Sequence, residues 1–232
     1  MEALVLGVLP YITVAVFIVG MVIRIRIWMR TPQPAKITLF PAPCGGRARF
    51  INVLKESFLF PSLFRGDRTL WIIAWLFHLT LAFVFVGHVR VFTDFPRVWA
   101  ALGIDADTMS AAGGGVAGVL ILTMALLLTV RRAAMRRVRE VSQLADYLAL
   151  FLVIGVILTG NLMRFGDHFD LQLTRAYFTD LFTFSLGASS YPANGMFAVH
   201  FLLAQILIVF MPFSKIMHFG GIFFTQTLIQ KA

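Results

Sequence analysis

Four of the five histidines of this 232-residue chain lie within or at the end of long apolar segments: His78, His88, His200 and His218. An ionisable side chain inside a membrane-length apolar segment is costly and usually marks a functional site. Neutral imidazole is also the commonest metal ligand in proteins. A single histidine of this kind could be a core residue bonded to a neighbour, but four on only two segments favour a ligand role.

The spacing of these histidines predicts how they pair. His78 and His88 are ten residues apart, about 15 Å along a helix, whereas His200 and His218 are eighteen apart, about 27 Å if the helix is straight. In antiparallel helices, His78 would face His218 at one end and His88 would face His200 at the other. The axial fit leaves an offset of about 6 Å per pair, which tilted groups, crossed helices or a bend at Pro212 could absorb.

A haem bound by imidazole on both faces requires one such pair from facing helices. Two pairs therefore make two haems b plausible, at different depths. A metal transporter or a proton relay would be expected to add carboxylates, and the apolar segments contain almost none. A haem-free membrane anchor or a metal transporter is the alternative from another class. Four cations near the histidines are candidate partners for haem propionates: Arg90, Arg131, Arg132 and Lys215.

The segments that carry the histidines belong to a set of five apolar runs. The chain is 59% hydrophobic with a mean hydropathy of +0.85, more apolar surface than a soluble domain of this length can bury. Crossing a bilayer takes about 20 helical residues. The sequence predicts an all-α, integral membrane five-helix bundle forming a single cytochrome b domain over residues 1–232, with spans at about 4–27, 70–92, 111–130, 144–163 and 195–218.

The cations predict the topology. Sixteen of the 20 Lys and Arg residues lie in the first and third connections and the C-terminal tail, and four lie in the other two connections. The positive-inside rule then places the N-terminus outside and the C-terminus in the cytoplasm. This pattern accounts for the net charge of +9 without a nucleic-acid partner. The first segment lacks the basic start and small-residue cleavage site of a signal peptide, so we interpret it as a retained span.

The predicted cytoplasmic connection 28–69 is long and contains many prolines, which argue against one continuous helix. Its Phe58–Phe64 stretch could lie in the membrane interface, against another subunit, or under the bundle. Cys44 is the one cysteine, so the chain cannot form an internal disulfide. The glycines at 113, 114, 115 and 118 form one thin helix face, suited equally to cofactor packing or to close helix packing.

The sequence resembles the gamma subunit of membrane-bound respiratory nitrate reductase over nearly its whole length. The matching motifs are Pro10-Tyr11-Ile12, Leu76 to His88, Gly113–Leu120, Gly187–Ser189, and Pro212 to His218. The resemblance implies that the four histidines are the axial ligands of two b haems. It also implies quinol oxidation near the outer haem, with electrons passing inward to an iron–sulfur subunit while the terminal substrate reacts elsewhere.

Two departures from the nitrate branch refine the resemblance. The longer first connection, with TPQPAKITLFPAPCGG and KESFLFPSLFRGD, is more similar to cytochrome b subunits of the Dsr complex of sulfur metabolism. Their iron–sulfur partner resembles heterodisulfide reductase, and residues 28–69 would be its docking surface. The nitrate branch also has a quinol-binding lysine in the second connection, and the corresponding region from Gly103 to Thr108 contains none.

The resemblance therefore predicts an electron-transfer subunit of a quinone-linked oxidoreductase in the prokaryotic cytoplasmic (inner) membrane, with no catalytic residue of its own. Dsr-type partners are favoured and a nitrate-reductase-type complex is the alternative. The quinone, menaquinone in particular, would bind near the outer haem, against Gly87, His88 and Arg90. His168, in the fourth connection, is either a solvated loop residue or part of the quinone site.

Overall fold

The computed structural model describes residues 2–30, 45–166, 170–187, 191–192, 194–218 and 220–223. These residues contain no strand and include five helices long and apolar enough to cross a membrane: Ala3–Arg30, Arg68–Val91, Ala106–Ala134, Leu144–Phe165 and Gly195–Phe213. The predicted all-α membrane bundle of five spans is therefore confirmed. Cys44, His168 and the 188–189 part of the Gly187–Ser189 motif lie outside the described residues.

The helical elements follow one another as a simple series. A π-helical turn, Ala3–Val8, leads into the first span. The helices are α1 Leu9–Arg30, α2 Gly45–Phe58, α3 Pro61–Gly66, α4 Arg68–His88, α5 Pro96–Leu102, α6 Ala106–Ala134, α7 Arg136–Glu140, α8 Leu144–Phe165, α9 Leu171–Thr183 and α10 Gly195–Phe210. Helices α5 and α9 lie at one end of the bundle, here called the α9 end, and α2, α3 and α7 lie at the other, the α7 end. The α9 end is the one predicted to be outside.

Side-chain caps determine where several spans begin. Asp67 accepts a hydrogen bond from Leu70 N at 2.9 Å at the start of α4, and Asp105 accepts one from Thr108 N at 2.7 Å at the start of α6. Asp146 and Gln143 form a reciprocal capping box at the start of α8. Such caps satisfy amide groups that have no partner within the helix, which matters most beside a bilayer.

The spans pack in the order α1, α10, α8, α6 and α4, and no extensive contact joins α4 directly to α10 within the described residues. Small residues allow the close approaches. A Cβ at Gly118 would overlap the Asn161 amide, and one at Gly115 would touch Phe165, both on α8. The glycine face of α6 therefore takes part in close helix packing, one of the two roles that the sequence suggested for it.

Buried polar groups tie α1 to α10. The Gln205 amide donates to Val5 O at 3.0 Å, where the π-helical turn leaves a carbonyl free, and Thr13 donates to Gln205 at 3.3 Å. Tyr177 on α9 is fully buried and donates to Leu6 O at 2.7 Å. In the low-dielectric interior of a membrane protein, such groups must find partners within the chain.

The fifth span differs from the prediction of one helix over 195–218. Helix α10 ends at Phe210, and the chain continues to His218 through two 3₁₀ turns, Met211–Phe213 and Lys215–Met217. Pro212 lacks an amide hydrogen, and Ser214 between the turns is extended (φ −122°, ψ 172°). The straight-helix distance of about 27 Å between His200 and His218 therefore does not apply.

The described part of the predicted connection 28–69 includes α2 and α3. The Phe58–Phe64 stretch packs beside the start of α4, where Trp71 donates to Leu59 O at 2.7 Å and Trp75 donates to Phe58 O at 3.1 Å. Phe60 turns the chain between the two helices with a positive φ of 51°. Of the three placements that the sequence allowed, contact with the bundle is the one observed within this chain.

Candidate haem-binding site

The four histidines come together as the two pairs expected from their spacing. The rings of His88 and His200 have centroids 6.3 Å apart with planes inclined by 14°, toward the α9 end. The rings of His78 and His218 have centroids 5.8 Å apart with planes inclined by 86°, toward the α7 end. Each pair joins α4 to the fifth span, two elements that share no extensive helix packing within the described residues.

The separation of the rings matches the requirement of a metal held between two imidazoles. A metal–imidazole bond is about 2 Å long and each ring centroid lies about 1 Å behind its nitrogen, so two rings on opposite sides of one iron are about 6 Å apart. Both measured separations are close to this value. Two histidine rings that merely touched each other would not need hydrogen bonds to orient their nitrogens. In both pairs the ring nitrogens are oriented by such bonds.

Hydrogen bonds orient three of the rings through Nδ1. His78 Nδ1 bonds to Ala74 O at 2.7 Å, His88 Nδ1 to Val84 O at 2.7 Å, and His218 Nδ1 to Lys215 O at 3.0 Å. A carbonyl only accepts, so Nδ1 carries the hydrogen in each case and Nε2 has the lone pair. This arrangement is the usual support of a metal-binding histidine.

His200 is oriented by a side chain. Its Nδ1 lies 3.0 Å from Thr159 Oγ1 on α8, and that hydroxyl donates to Gly155 O at 2.8 Å. Because the hydroxyl hydrogen is used within α8, Thr159 accepts from His200 Nδ1, and Nε2 is again the free nitrogen. Gly160 follows directly, and a Cβ there would lie 3.3 Å from the His200 ring. Sequence reasoning missed Thr159, which lies 41 residues before its partner.

The surroundings of the pairs are apolar and contain aromatic rings at the α7 end. Phe60 and Phe77 each lie edge-on to His78, with centroids 5.3 Å away. Among the described residues there is no group of three or more His, Cys, Asp and Glu side chains. Each pair therefore supplies two imidazoles, the donor set of a haem ligated on both faces. The donor set, the ring separation and the Nδ1 bonds all fit haem.

The residues predicted to contact quinone differ in their surroundings. Gly87 and His88 are exposed, and a Cβ added at Gly87 would meet open space. Arg90 is engaged instead, with Asp94 at 2.8 Å, Asp107 at 2.7 Å and Ala106 O at 3.1 Å. The open surface thus lies at Gly87 and His88, while Arg90 holds the adjoining connection in place.

A second arginine completes this ion network at the α9 end. Arg175 on α9 donates twice to Arg90 O, at 2.9 and 2.7 Å, and pairs with Asp94 at 2.5 Å. The hydrogen bond from Arg175, together with Arg90, lowers the pKa of Asp94 below its ordinary value. The network holds Arg90 in place, two residues after α4 ends at His88. The i,i+4 spacing of Arg90 and Asp94 was visible in the sequence, but the contribution of Arg175 was not.

Carboxylates also engage the other cations that were candidates for haem propionates. Arg131 pairs with Asp67 at 2.9 Å, and Lys215 pairs with Asp146 at 2.7 Å. Arg132 lies 3.5 Å from the same Asp146 carboxylate. Asp146 is buried, and the turn held by Lys215 carries His218, so this cluster supports the ligand turn at the α7 end.

The family model for the nitrate reductase gamma subunit matches residues 61–228, which include all four histidines. The chain belongs to the nitrate reductase gamma subunit family. This confirms the family to which the sequence motifs pointed.

Curated relatives of this gamma-family chain fall into two groups. The Hdr-like menaquinol oxidoreductase cytochrome b-like subunit of Archaeoglobus fulgidus is 30% identical, with 95% of this chain and 77% of the relative covered. The protein of the same name from Archaeoglobus profundus is also 30% identical, with 94% and 76% covered. The nitrate reductase gamma chain of Bacillus subtilis is 26% identical, with 91% and 88% covered.

Proposed function

We propose that this protein is the dihaem cytochrome b subunit of a membrane-bound respiratory complex and carries electrons between the quinone pool and a cytoplasmic iron–sulfur subunit. The coarser part of this statement follows from the family: the chain is a membrane cytochrome b electron-transfer subunit of a quinol-linked oxidoreductase complex. The observation that carries the finer part is the occurrence of two histidine pairs, each with its rings about 6 Å apart.

The histidine pairs would hold the two haems, one through His88 and His200 and the other through His78 and His218. When bound, haem b supplies a one-electron iron couple. The protein supplies the axial nitrogens, orients them through the Nδ1 bonds, and packs Phe60 and Phe77 against His78. Because His78 and His88 are ten residues apart on α4, the two sites lie about 15 Å apart along the helix.

The quinone would bind at the α9 end, against Gly87 and His88, where the surface is open. Arg90 would then act by keeping the connection after α4 in position, since its guanidinium already has three partners. Menaquinone is the proposed quinone because the Archaeoglobus relatives are named menaquinol oxidoreductase subunits. No side chain of this chain is proposed to act on a terminal substrate.

The proposed partner is an iron–sulfur subunit resembling heterodisulfide reductase, in a Dsr-type complex. Both 30% identical relatives are named Hdr-like, and the longer first connection favours that branch. A gamma subunit of a nitrate-reductase-type complex is the alternative, supported by the Bacillus subtilis relative. Residues 28–69 would dock the partner on the cytoplasmic side, with the N-terminus outside, in a prokaryotic inner membrane.

The test is the haem content of the purified chain, measured as pyridine haemochrome with reduced-minus-oxidised spectra. We expect two haems b per chain and low-spin bands. His88→Ala and His218→Ala should each remove one haem, whereas His168→Ala, outside both pairs, should retain two. A folded preparation made with haem available that contains none would favour a haem-free anchor or transporter.

Purification of the whole complex distinguishes the two partner assignments. Isolation of the tagged chain from its native membrane should recover subunits with iron–sulfur clusters that resemble heterodisulfide reductase. Recovery of a molybdenum-containing subunit would instead assign the chain to a nitrate-reductase-type complex. Either result leaves the haem measurement unaffected, so the two parts of the proposal can fail separately.

A further inference from the structure

Helix α2 presents an apolar stripe that no other described part of the chain covers. Phe50, Ile51 and Phe58 are 59%, 41% and 69% exposed, and Leu54 lies between them on the same face. Their spacing repeats with the period of an α-helix, so they form one continuous strip. Val53, beside this stripe on the same helix, is buried and directed inward. The helix therefore has one face toward the protein and one apolar face directed away from it.

The depth of this stripe relative to α4 is the decisive observation. Phe58 O accepts a hydrogen bond from Trp75, which lies seven residues after the start of α4, about 10 Å along its axis. Phe60 reaches His78, ten residues along the same helix. The second span, Arg68–Val91, is about 36 Å long, about 6 Å more than the hydrocarbon core of a bilayer. The C-terminal end of α2 thus lies beside the first turns of a membrane-spanning helix, near the level at which hydrocarbon begins.

Exposed apolar side chains beside the first turns of a membrane-spanning helix lie within reach of lipid acyl chains. The two indole rings at the same level, Trp71 and Trp75, stack with centroids 5.8 Å apart, and tryptophan pairs of this kind are typical of the membrane interface. Both indole hydrogens are bonded to the chain, at Leu59 O and Phe58 O. The corner between α2 and α3 is therefore held against α4, while the side chains of Phe58 and Leu59 are exposed.

Cations border the stripe. Arg47 lies at the N-terminal end of the stripe, and Phe58 lies at its C-terminal end. Lys55 lies beside the stripe, and both cations are exposed. An amphipathic helix with basic residues beside an apolar face binds at the surface of a bilayer that contains anionic lipid. The long stems of Arg47 and Lys55 allow their charges to reach phosphate groups while the helix lies in the interface.

We infer that α2 is an in-plane membrane anchor, which inserts Phe58 and its apolar neighbours into the leaflet at the α7 end and binds anionic headgroups through Arg47 and Lys55. The occupant of this apolar face is lipid, and a docked partner would contact other residues of the connection 28–69. Because Phe60, two residues after the end of α2, packs edge-on to His78, the anchor also positions an aromatic neighbour of one histidine pair. This inference needs only that the chain spans a membrane, and it does not depend on the haem or the partner.

The test uses the full chain, with Cys44 replaced by Ser, reconstituted into phosphatidylcholine vesicles with or without phosphatidylglycerol. A polarity-sensitive fluorophore is placed at Phe58→Cys, and at Ala48→Cys as the control, an exposed position on α2 outside the stripe. Phosphatidylcholine brominated on its acyl chains should quench the probe at 58 strongly and the probe at 48 weakly. Phe50→Cys provides a second stripe position if the first variant does not give a monodisperse protein.

The charge requirement is tested with Arg47→Gln/Lys55→Gln, compared with Arg136→Gln/Arg137→Gln on α7 at the same end. Phosphatidylglycerol should increase quenching at position 58 in the parent and the α7 variant, and this increase should be lost in the α2 variant. Equal quenching at positions 48 and 58 would overturn the anchor. Protection of the probe at 58 when partner subunits are co-reconstituted would overturn it too, since a protein would then cover the stripe.

Discussion

Thr159 Oγ1 accepts a hydrogen bond from His200 Nδ1 at 3.0 Å, and His200 is the one histidine of the two pairs whose Nδ1 is oriented by a side chain from another span. Thr159 is only 8% exposed, so loss of its hydroxyl would remove this side-chain partner of the imidazole N–H in the interior of the bundle. This contact therefore links the orientation of a proposed haem ligand to a single hydroxyl.

Replacing Thr159 with Val should weaken haem binding at the pair formed by His88 and His200. Loss of such a supporting bond typically lowers metal affinity by about 10- to 100-fold. Thr159→Ser retains the acceptor and should bind as the parent does. The measurement is haem titration into the chain, with the electron paramagnetic resonance spectrum as a readout of ligand orientation.

Thr123→Val is the matched control for this substitution, because Thr123 bonds only to Val119 O of its own helix. It should leave both haem sites unchanged. If Thr159→Val titrated and gave spectra indistinguishable from those of Thr123→Val, the supporting role of Thr159 would be wrong.

Lys215→Met should affect the other pair. Lys215 Nζ holds the Asp146 carboxylate at 2.7 Å, and its own carbonyl accepts from His218 Nδ1 at 3.0 Å. Without the ion pair, the 3₁₀ turn that carries His218 loses its attachment to α8. We expect affinity for the haem held by His78 and His218 to fall by about 10-fold, at the low end for a supporting contact.

Arg137→Met, which removes an exposed cation at the same end of the bundle, is the control for Lys215→Met. A selective loss of one haem in the lysine variant, with the second haem and the arginine variant unchanged, is the expected pattern. Equal losses in the two variants would indicate a general effect of charge, not a role for the turn.

Gly118→Ala should destabilise the bundle. A Cβ at this position would overlap the Asn161 side chain, which cannot move away without losing its hydrogen bond to Gly118 O at 2.9 Å. Overpacking of this kind typically costs about 1–3 kcal/mol. Gly115→Ala on the same helix is the matched control, because its Cβ would lie at an ordinary 3.6 Å from Phe165. The midpoint of thermal unfolding in detergent should fall for the former and not for the latter.

The sequence predicted those features that depend on local pattern and on spacing along one element. Five apolar runs identified the spans, and the ten-residue spacing on α4 identified which end each histidine occupies. If the fifth span were a straight helix, the eighteen residues between His200 and His218 would not match the ten residues between His78 and His88. This mismatch disappears because the α-helix ends at Phe210 and the chain turns at Ser214, and Pro212 was the only local sign of this break.

Contacts between distant elements could not be predicted where the sequence carries no spacing or residue type that marks the partners. Thr80, Thr123 and Thr129 bond to backbone carbonyls within their own helices, and Thr159 does the same, so nothing local distinguishes it. Its second role arises only because α10 places His200 beside it. The glycine face of α6 was ambiguous for the same reason, since its function depends on the residues that α8 presents to it.

Asp94 gives a prediction for the dependence of stability on pH. Its hydrogen bonds to Arg175 and Arg90 lower its pKa in the folded protein below the ordinary value of 3.8. The unfolded chain therefore binds a proton first as the pH falls. The stability that Asp94 contributes is fully present above the ordinary value and is lost as the pH falls through the lowered pKa.

Asp94→Asn should accordingly be less stable than the parent at neutral pH, and its unfolding midpoint should decline less steeply as the pH falls below about 4, the unfolded-state value for Asp. Glu140→Gln, which breaks an exposed pair with Arg136, should retain the acid dependence of the parent. The measurement is thermal unfolding in detergent across this pH range. Parallel declines for parent and Asp94→Asn would mean that the network does not stabilise the α9 end, and that the end of α4 beyond His88 is held by its other contacts.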